Sequence, residues 1–284
     1  MKKVGIIPNI EKEKSKVAAE KIIDFLQKKG FEALIEKEAV EALNIDIAGC
    51  DEKELYSESE FIVVLGGDGT MLNAGKIACE YNTPLIGINL GHLGFLTDTD
   101  TSGMESSLTK VIEGDYKLEK RMMIEAEVNS ASEGTNSFYC LNEFALSRGN
   151  MVEVGVYVND EYIDDFFGDG VLVSTPTGST AYNLSAGGPI LKTDSNMLAI
   201  TPICPHTLYA RSIVVGADDV VKLVIDRYSK TDLSAVVDGM HVSAVNKDDT
   251  VIIKKSDKYV TIIKTNKMGF YDVLREKMFI KGGR

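Results

Sequence analysis

Apolar positions in the first third of the chain alternate between short unbroken runs and stretches of helical spacing. Lys3 to Ile7, Phe61 to Leu65 and Leu85 to Ile88 are strand-like, and Glu13 to Lys29 between the first two is amphipathic. Within it Ala18, Ile22, Phe25 and Leu26 share one helical face, and Gly30 stands where a helix would stop. Phe61-Ile62-Val63-Val64-Leu65 is apolar on both faces, which suits a parallel strand covered by helices on both sides. This β-α-β rhythm predicts a doubly wound α/β domain over residues 1–116.

From about Lys117 the pattern shortens to β-branched and aromatic segments separated by turn residues. Strands are expected at Met122 to Val128, Phe138 to Leu146, Val154 to Val158, Val171 to Ser174, Ile213 to Val215, Val220 to Ile225, Ser234 to Val237 and Val251 to Lys254. Such spacing predicts a mostly antiparallel β domain over residues 117–265. A helical pattern, Tyr271 to Phe279, falls in a last segment, 266–284, expected to pack back on the first domain.

Charge narrows the chemistry. A formal net charge of −12 argues against broad contact with nucleic acid or anionic lipid, which need a cationic surface. An anionic ligand must then be met by local donors: backbone N–H groups, a helix N-terminus or a metal ion. Cys50, Cys79, Cys140 and Cys204 are too scattered for a zinc site or a disulfide framework. The N-terminal apolar run breaks at Pro8, and no run reaches membrane-spanning length, so a cytoplasmic location is expected.

Gly66-Gly67-Asp68-Gly69-Thr70 follows the strand Phe61 to Leu65 and opens a helical pattern, Met71 to Tyr81. A glycine turn between strand and helix lets backbone approach a phosphate while the helix N-terminus offers N–H donors. It is neither a Walker A loop nor G-x-G-x-x-G. Asp68 opposes anion binding unless it serves chemistry or a metal, and the competing role is a cap for a helix beginning near Thr70. The glycine-rich run Asn89 to Thr97 is either a ligand-facing loop or a crossing between domains. His92 within it is weak evidence and is not assigned to catalysis.

Residues 174–190 carry five hydroxyl side chains between Ser174 and Thr180, more than a helix cap needs, suggesting hydrogen bonds to a purine and a ribose. Tyr182 offers a face for a base or a place in a core. Asn142-Glu143 pairs an amide with a carboxylate, and Asp238-Gly239 has the form of a hairpin turn.

In order, GGDGT, NLGHLGFLT, Asn142-Glu143, Asp169-Gly170, STPTGSTAY and LSAGGP closely resemble the NAD kinase family over roughly Leu65 to Gly239. The 174–190 run is the specific part, since phosphofructokinases and diacylglycerol-type lipid kinases share the GGDGT kind of turn. The resemblance implies phosphoryl transfer from ATP, with a divalent metal such as Mg2+, to the 2′-hydroxyl of NAD to make NADP. Some members use polyphosphate instead. It implies homo-oligomers, dimeric or tetrameric, built largely through the second domain.

Carried onto this chain, Asp68 acts as general base or orienter at the 2′-hydroxyl, and Gly66, Gly67, Gly69 and Thr70 hold donor phosphates. Asp68 and Gly69 also meet NAD, with Asn142, Glu143, Thr177, Thr180, Ala181, Tyr182 and Ser185 lining the adenosine site. Asp169 lies toward the nicotinamide, supplied by a neighbouring subunit in the family's oligomers. Many members carry a basic residue before that Asp-Gly, where this chain has Phe166-Phe167-Gly168, so the choice between NAD and NADH stays open. Rival readings are a sugar-phosphate or lipid kinase using the same turn, and a non-catalytic nucleotide sensor. The first should show a membrane-facing surface if its substrate were lipid; the second gives Asp68 no purpose.

Overall fold

The structure is a computed structural model that describes the 284-residue chain except 92–93, 131–133, 226–232, 267 and 279–284. The side chains of 148–150 also lie outside the description. The chain divides into two compact units, Met1–Lys120 with Val260–Arg284, and Arg121–Tyr259.

The first unit runs β1 (Lys2–Pro8), α1 (Lys14–Lys28), β2 (Phe31–Leu34), α2 (Lys37–Leu43), α3 (Glu52–Glu58), β3 (Ser59–Gly66), α4 (Asp68–Tyr81), β4 (Leu85–Asn89), β5 (Thr99–Asp100) and α5 (Met104–Glu113). Its strands are parallel in the order β4-β3-β1-β2. Phe61 to Leu65 of β3 are all buried, as expected of a strand covered on both faces. Ala18, Ile22 and Leu26 of α1 face that sheet, with Phe25 partly buried beside them. Gly30, at a φ of 80°, ends the helix in the left-handed conformation that glycine adopts without strain.

The second unit holds most of β6 (Lys117–Ser130), then β7 (Gly134–Cys140), β8 (Glu143–Val158), β9 (Glu161–Ser174), a 3-10 turn (Gly178–Thr180), α6 (Tyr182–Ser185), β10 (Met197–Ile203), β11 (Ile213–Gly216), β12 (Val221–Ile225), β13 (Leu233–Val237), β14 (Met240–Val245) and the start of β15 (Thr250–Lys264). Its pairings are antiparallel, in the order β11-β10-β9-β8-β12-β15, with β13 joining β8 to β14. The fold is therefore α/β followed by antiparallel β. Phe144, Val154, Val171, Ile200 and Leu223 form its core. The last helix, α7 (Phe270–Met278), falls in the first unit.

Two details of the strands depart from the sequence expectations. The predicted strand Phe138 to Leu146 is two strands, broken at Leu141-Asn142 because the Asp238 carboxylate takes their amide protons out of any ladder. The compact units meet in sequence at Lys120/Arg121 and Tyr259/Val260. Strands β6 and β15 run through those points, so neither boundary has a turn signal. Met197–Ile203 and Met240–Val245 are strands that the apolar pattern did not single out. Among the described residues no helix is long and apolar enough to cross a membrane.

Candidate functional site

In a parallel sheet, ligands gather at the carboxyl ends of the strands, where the connections diverge. Here β1 continues to β2 on one side while β3 lies on the other, and three connections meet at that edge. Asn9, just past β1, donates its amide N–H to Leu65 O (2.8 Å) and its Nδ2 to Thr70 Oγ1 (3.1 Å). Leu90, past β4, donates its N–H to Gly66 O at 3.3 Å. The Gly66–Thr70 turn is thus tied on both flanks.

Within the turn the glycines divide by cause. A Cβ on Gly66 would lie 2.2 Å from Thr70 Oγ1, so Gly66 is required for the turn to close on Thr70. On Gly67 or Gly69 a Cβ would meet nothing within 4 Å. Neither packing nor a left-handed φ imposes those two, which leaves their backbone approachable from outside.

Asp68 is not the helix cap. Helix α4 begins at Asp68 itself, with Gly67 as N-cap and no side-chain cap bond. The carboxylate turns instead to the Asn89–Thr97 run: Oδ2 accepts the Phe95 N–H and Oδ1 the Leu96 N–H, both at 2.9 Å. Gly94 makes room, since a Cβ there would fall 1.8 Å from Asp68 Oδ1. Thr97 Oγ1 accepts the Gly94 N–H and Asn89 Oδ1 the Gly91 N–H, which shapes the run from inside. The run belongs wholly to the first unit and is not a crossing between units. His92 lies outside the described residues.

Sequence reasoning found no cation for this turn, and the structure brings one. Lys277 of α7 places Nζ 3.7 Å from Asp68 Oδ2 and 4.7 Å from the Phe95 ring centroid. No motif marks it, because it lies more than two hundred positions away in a helix with an ordinary amphipathic pattern.

In the second unit the hydroxyl-rich run proves largely structural. Ser174, Thr175 and Ser179 are fully buried and bond main chain: Thr175 Oγ1 donates to Leu141 O (2.6 Å), and Ser179 Oγ donates to Pro176 O (2.7 Å) and accepts the Leu191 N–H (3.0 Å). Those three hydroxyls therefore serve the turn itself. A turn with few ladder bonds needs its own side chains to satisfy buried amides and carbonyls. Thr177 is buried, and Thr180 donates to Thr177 O at 3.3 Å. Ala181, Tyr182 and Ser185 follow on α6 and its N-cap. A Cβ on Gly178 would strike Asn142 O at 2.1 Å, so the run packs directly on the Asn142-Glu143 backbone.

That pair is positioned by a residue the sequence left as a turn former. Asp238 and Gly239 form the two-residue loop between β13 and β14 with φ of 48° and 81°, as a hairpin turn requires. The buried Asp238 carboxylate also accepts N–H bonds from Leu141 (3.1 Å), Asn142 (2.7 Å) and Glu143 (3.1 Å). Burial, then the charges of Cys204, Asp169 and Glu143, push the Tyr182 phenol up from its ordinary value, so these groups share one neighbourhood. Asp169 sits between Gly168 and Gly170, both pinned by close backbone: a Cβ on Gly168 would meet Ile203 O at 2.7 Å, and on Gly170 Leu146 O at 2.2 Å.

Family models for the ATP-NAD kinase N-terminal domain and C-terminal domain match residues 4–116 and 141–265. The chain belongs to the NAD kinase family. It is 43% identical over 281 residues to the NAD kinase of Caldanaerobacter subterraneus subsp. tengcongensis and 42% identical to that of Thermoanaerobacter pseudethanolicus, in each case over 98% of this chain and 99% of the relative. Among solved structures it resembles an NAD kinase from Archaeoglobus fulgidus in complex with ATP, with a TM-score of 0.75 and 26% identity over 96% of this chain and 99% of that one. A yeast NADH kinase complexed with NADH has the same fold, with a TM-score of 0.88 and 21% identity over 100% of this chain and 89% of that one. NAD kinase family membership thus covers both units and every motif described above.

Proposed function

We infer that this chain is an ATP-dependent NAD kinase that transfers the γ-phosphoryl group of ATP to the 2′-hydroxyl of the adenosine ribose of NAD, giving NADP. The observation that carries the reading is 43% identity to an NAD kinase over 98% of the chain, together with Asp68 held at the glycine turn by the Phe95 and Leu96 amides.

In the proposed reaction the 2′-oxygen bonds to the γ-phosphorus as the bond to the β-phosphate oxygen breaks, and ADP leaves with that electron pair. Asp68 takes the proton of the 2′-hydroxyl, and Gly67, Gly69 and Thr70 bind donor phosphates at the N-terminus of α4. Gly66 shapes that turn. Asn142, Glu143, Thr177, Thr180, Ala181, Tyr182 and Ser185 select the adenosine half of NAD, and Asp169 the nicotinamide half. Positioning supplies most of the acceleration in such a transfer.

Among the described residues there is no cluster of three metal-ligating side chains. Magnesium would enter carried on the triphosphate, an ion usually bound through one or two carboxylates together with substrate phosphates. Asp68, the carboxylate of the turn, would be the residue to hold it. A bound magnesium ion neutralises charge on the transferring phosphoryl group. A cytoplasmic location and a homo-oligomer are part of the same proposal.

The test is NADP formation from NAD, ATP and magnesium, run beside Asp68→Asn. The variant should bind NAD normally and lose on the order of 10²- to 10⁴-fold in kcat; a variant near full speed would remove Asp68 from the chemistry. Parallel arms with polyphosphate and with NADH define donor and acceptor range. NADH is included because the Gly168 contacts leave no room for a basic side chain at that position.

A further inference from the structure

The Gly66–Thr70 turn contains a carboxylate and no basic residue, in a protein of net charge −12, yet its proposed ligand is a polyanion. The carboxylate offsets part of the positive potential that the helix N-terminus offers an anion. We propose that Lys277, on the C-terminal helix α7, is a donor-phosphate-binding residue that gives this turn its positive charge. The inference rests on the kinase reading of the turn.

The contacts of Lys277 and those of its helix place it. Lys277 Nζ lies 3.7 Å from Asp68 Oδ2, longer than a charge-assisted hydrogen bond, while both Asp68 oxygens already accept amide protons from Phe95 and Leu96. The ammonium is thus held near Asp68 with its donors still available. It also lies over the Phe95 ring, and Phe95 packs on Phe270 at the start of α7, with ring centroids 6.3 Å apart. One loop residue therefore fixes Asp68 through its amide and Lys277 through its ring.

Helix α7 contains no buried residue, so core formation is not what keeps it there. Two other lysines of this unit, Lys264 and Lys110, are committed to main chain: Lys264 donates to Thr97 O (2.9 Å) and Lys110 to Thr265 O (3.0 Å). Lysine suits the task, being a compact point charge that binds phosphate without demanding one geometry.

The chemistry recognised is a chain of phosphates, whether of ATP or of free polyphosphate. The experiment measures binding of tripolyphosphate, ATP, ADP and AMP, each with magnesium, to the full chain and to Lys277→Met and Lys277→Arg. It is accompanied by kinetics with NAD and by thermal melts. The expected result is a loss for Lys277→Met that grows with the number of phosphates, about ten-fold for ATP and tripolyphosphate and under about two-fold for AMP. KM for NAD and the melting temperature should stay unchanged, and Lys277→Arg should recover most of the affinity.

A loss equal for AMP and tripolyphosphate, or no loss, overturns the proposal, because a helix-docking role would not depend on ligand charge. The kinase reading is checked separately by NADP formation in the wild-type chain. Wild type that binds tripolyphosphate through Lys277 but makes no NADP would sink that reading and leave this one standing. Active wild type with an indifferent Lys277→Met would do the reverse.

Discussion

Asp68 commits both carboxylate oxygens to the Phe95 and Leu96 amides, which fixes its rotamer before any substrate arrives. Gly94 is the condition for that geometry, with no side chain to strike Oδ1. Gly94→Ala should accordingly displace the carboxylate by about an ångström and lower kcat on the order of 10²-fold. Thermal stability should change little; a variant with normal kcat would show that the loop gives way instead. Asp238 makes the parallel case in the second unit, where one buried carboxylate satisfies three consecutive amides beside Asn142 and Glu143. Asp238→Ala strands those donors and removes a residue type that tolerates a φ of 48°. We expect about 2–4 kcal/mol of lost stability in urea unfolding and a raised KM for NAD with less effect on kcat. Retention of both KM and stability would mean the hairpin does not position the pair. Of these two positioning residues neither was legible beforehand. The Asp238-Gly239 dipeptide announces its turn through backbone conformation, but which amides a side chain reaches depends on strands brought together from elsewhere in the chain.

At the scale of elements, legibility followed the range of the forces involved. Helix α1 and strand β3 were legible because each needs only its own pattern: one buried stripe on α1, two buried faces on β3. Helix α4 was found but begun three residues late, because the glycine turn enters the helix at Asp68 instead of handing over at a side-chain cap. Strand β10 was missed although Leu198 to Ile203 are buried, since Pro202 argues against a strand interior. The hydroxyl run was legible as a special segment, but a buried turn and a nucleoside site both call for hydroxyls, and the main-chain bonds of Thr175 and Ser179 could not be read from the sequence. Helix α7 was expected from its periodicity, while its delivery of Lys277 to Asp68 was not. Ending the chain after Gly269 tests α7 as an element. With no buried residue in the helix, stability should fall by no more than about 1 kcal/mol. Turnover with ATP should fall by at least about ten-fold in kcat/KM. A truncated chain that unfolds at much lower urea would show that α7 is part of the core after all.

At the scale of the whole molecule, a net charge of −12 surrounds a reaction between two anions, so diffuse repulsion and local attraction oppose each other. Their ranges differ. The screening length falls from about 30 Å at 0.01 M salt to about 8 Å at 0.15 M, which removes most of the field from charges spread over the surface. Lys277, 3.7 Å from Asp68, and the amides at the start of α4 act over a few ångströms and within a partly enclosed turn, where added salt screens them much less. Raising potassium chloride from 10 to 150 mM at fixed free magnesium should therefore leave kcat/KM for ATP unchanged or raise it about two- to three-fold. A chain that gathered its substrates with a broad basic surface would show the opposite slope, since screening would weaken the steering and lower the rate of encounter. A ten-fold decline over that range would thus contradict the division of labour argued here, in which the surface as a whole repels the substrates and a few fixed donors hold them.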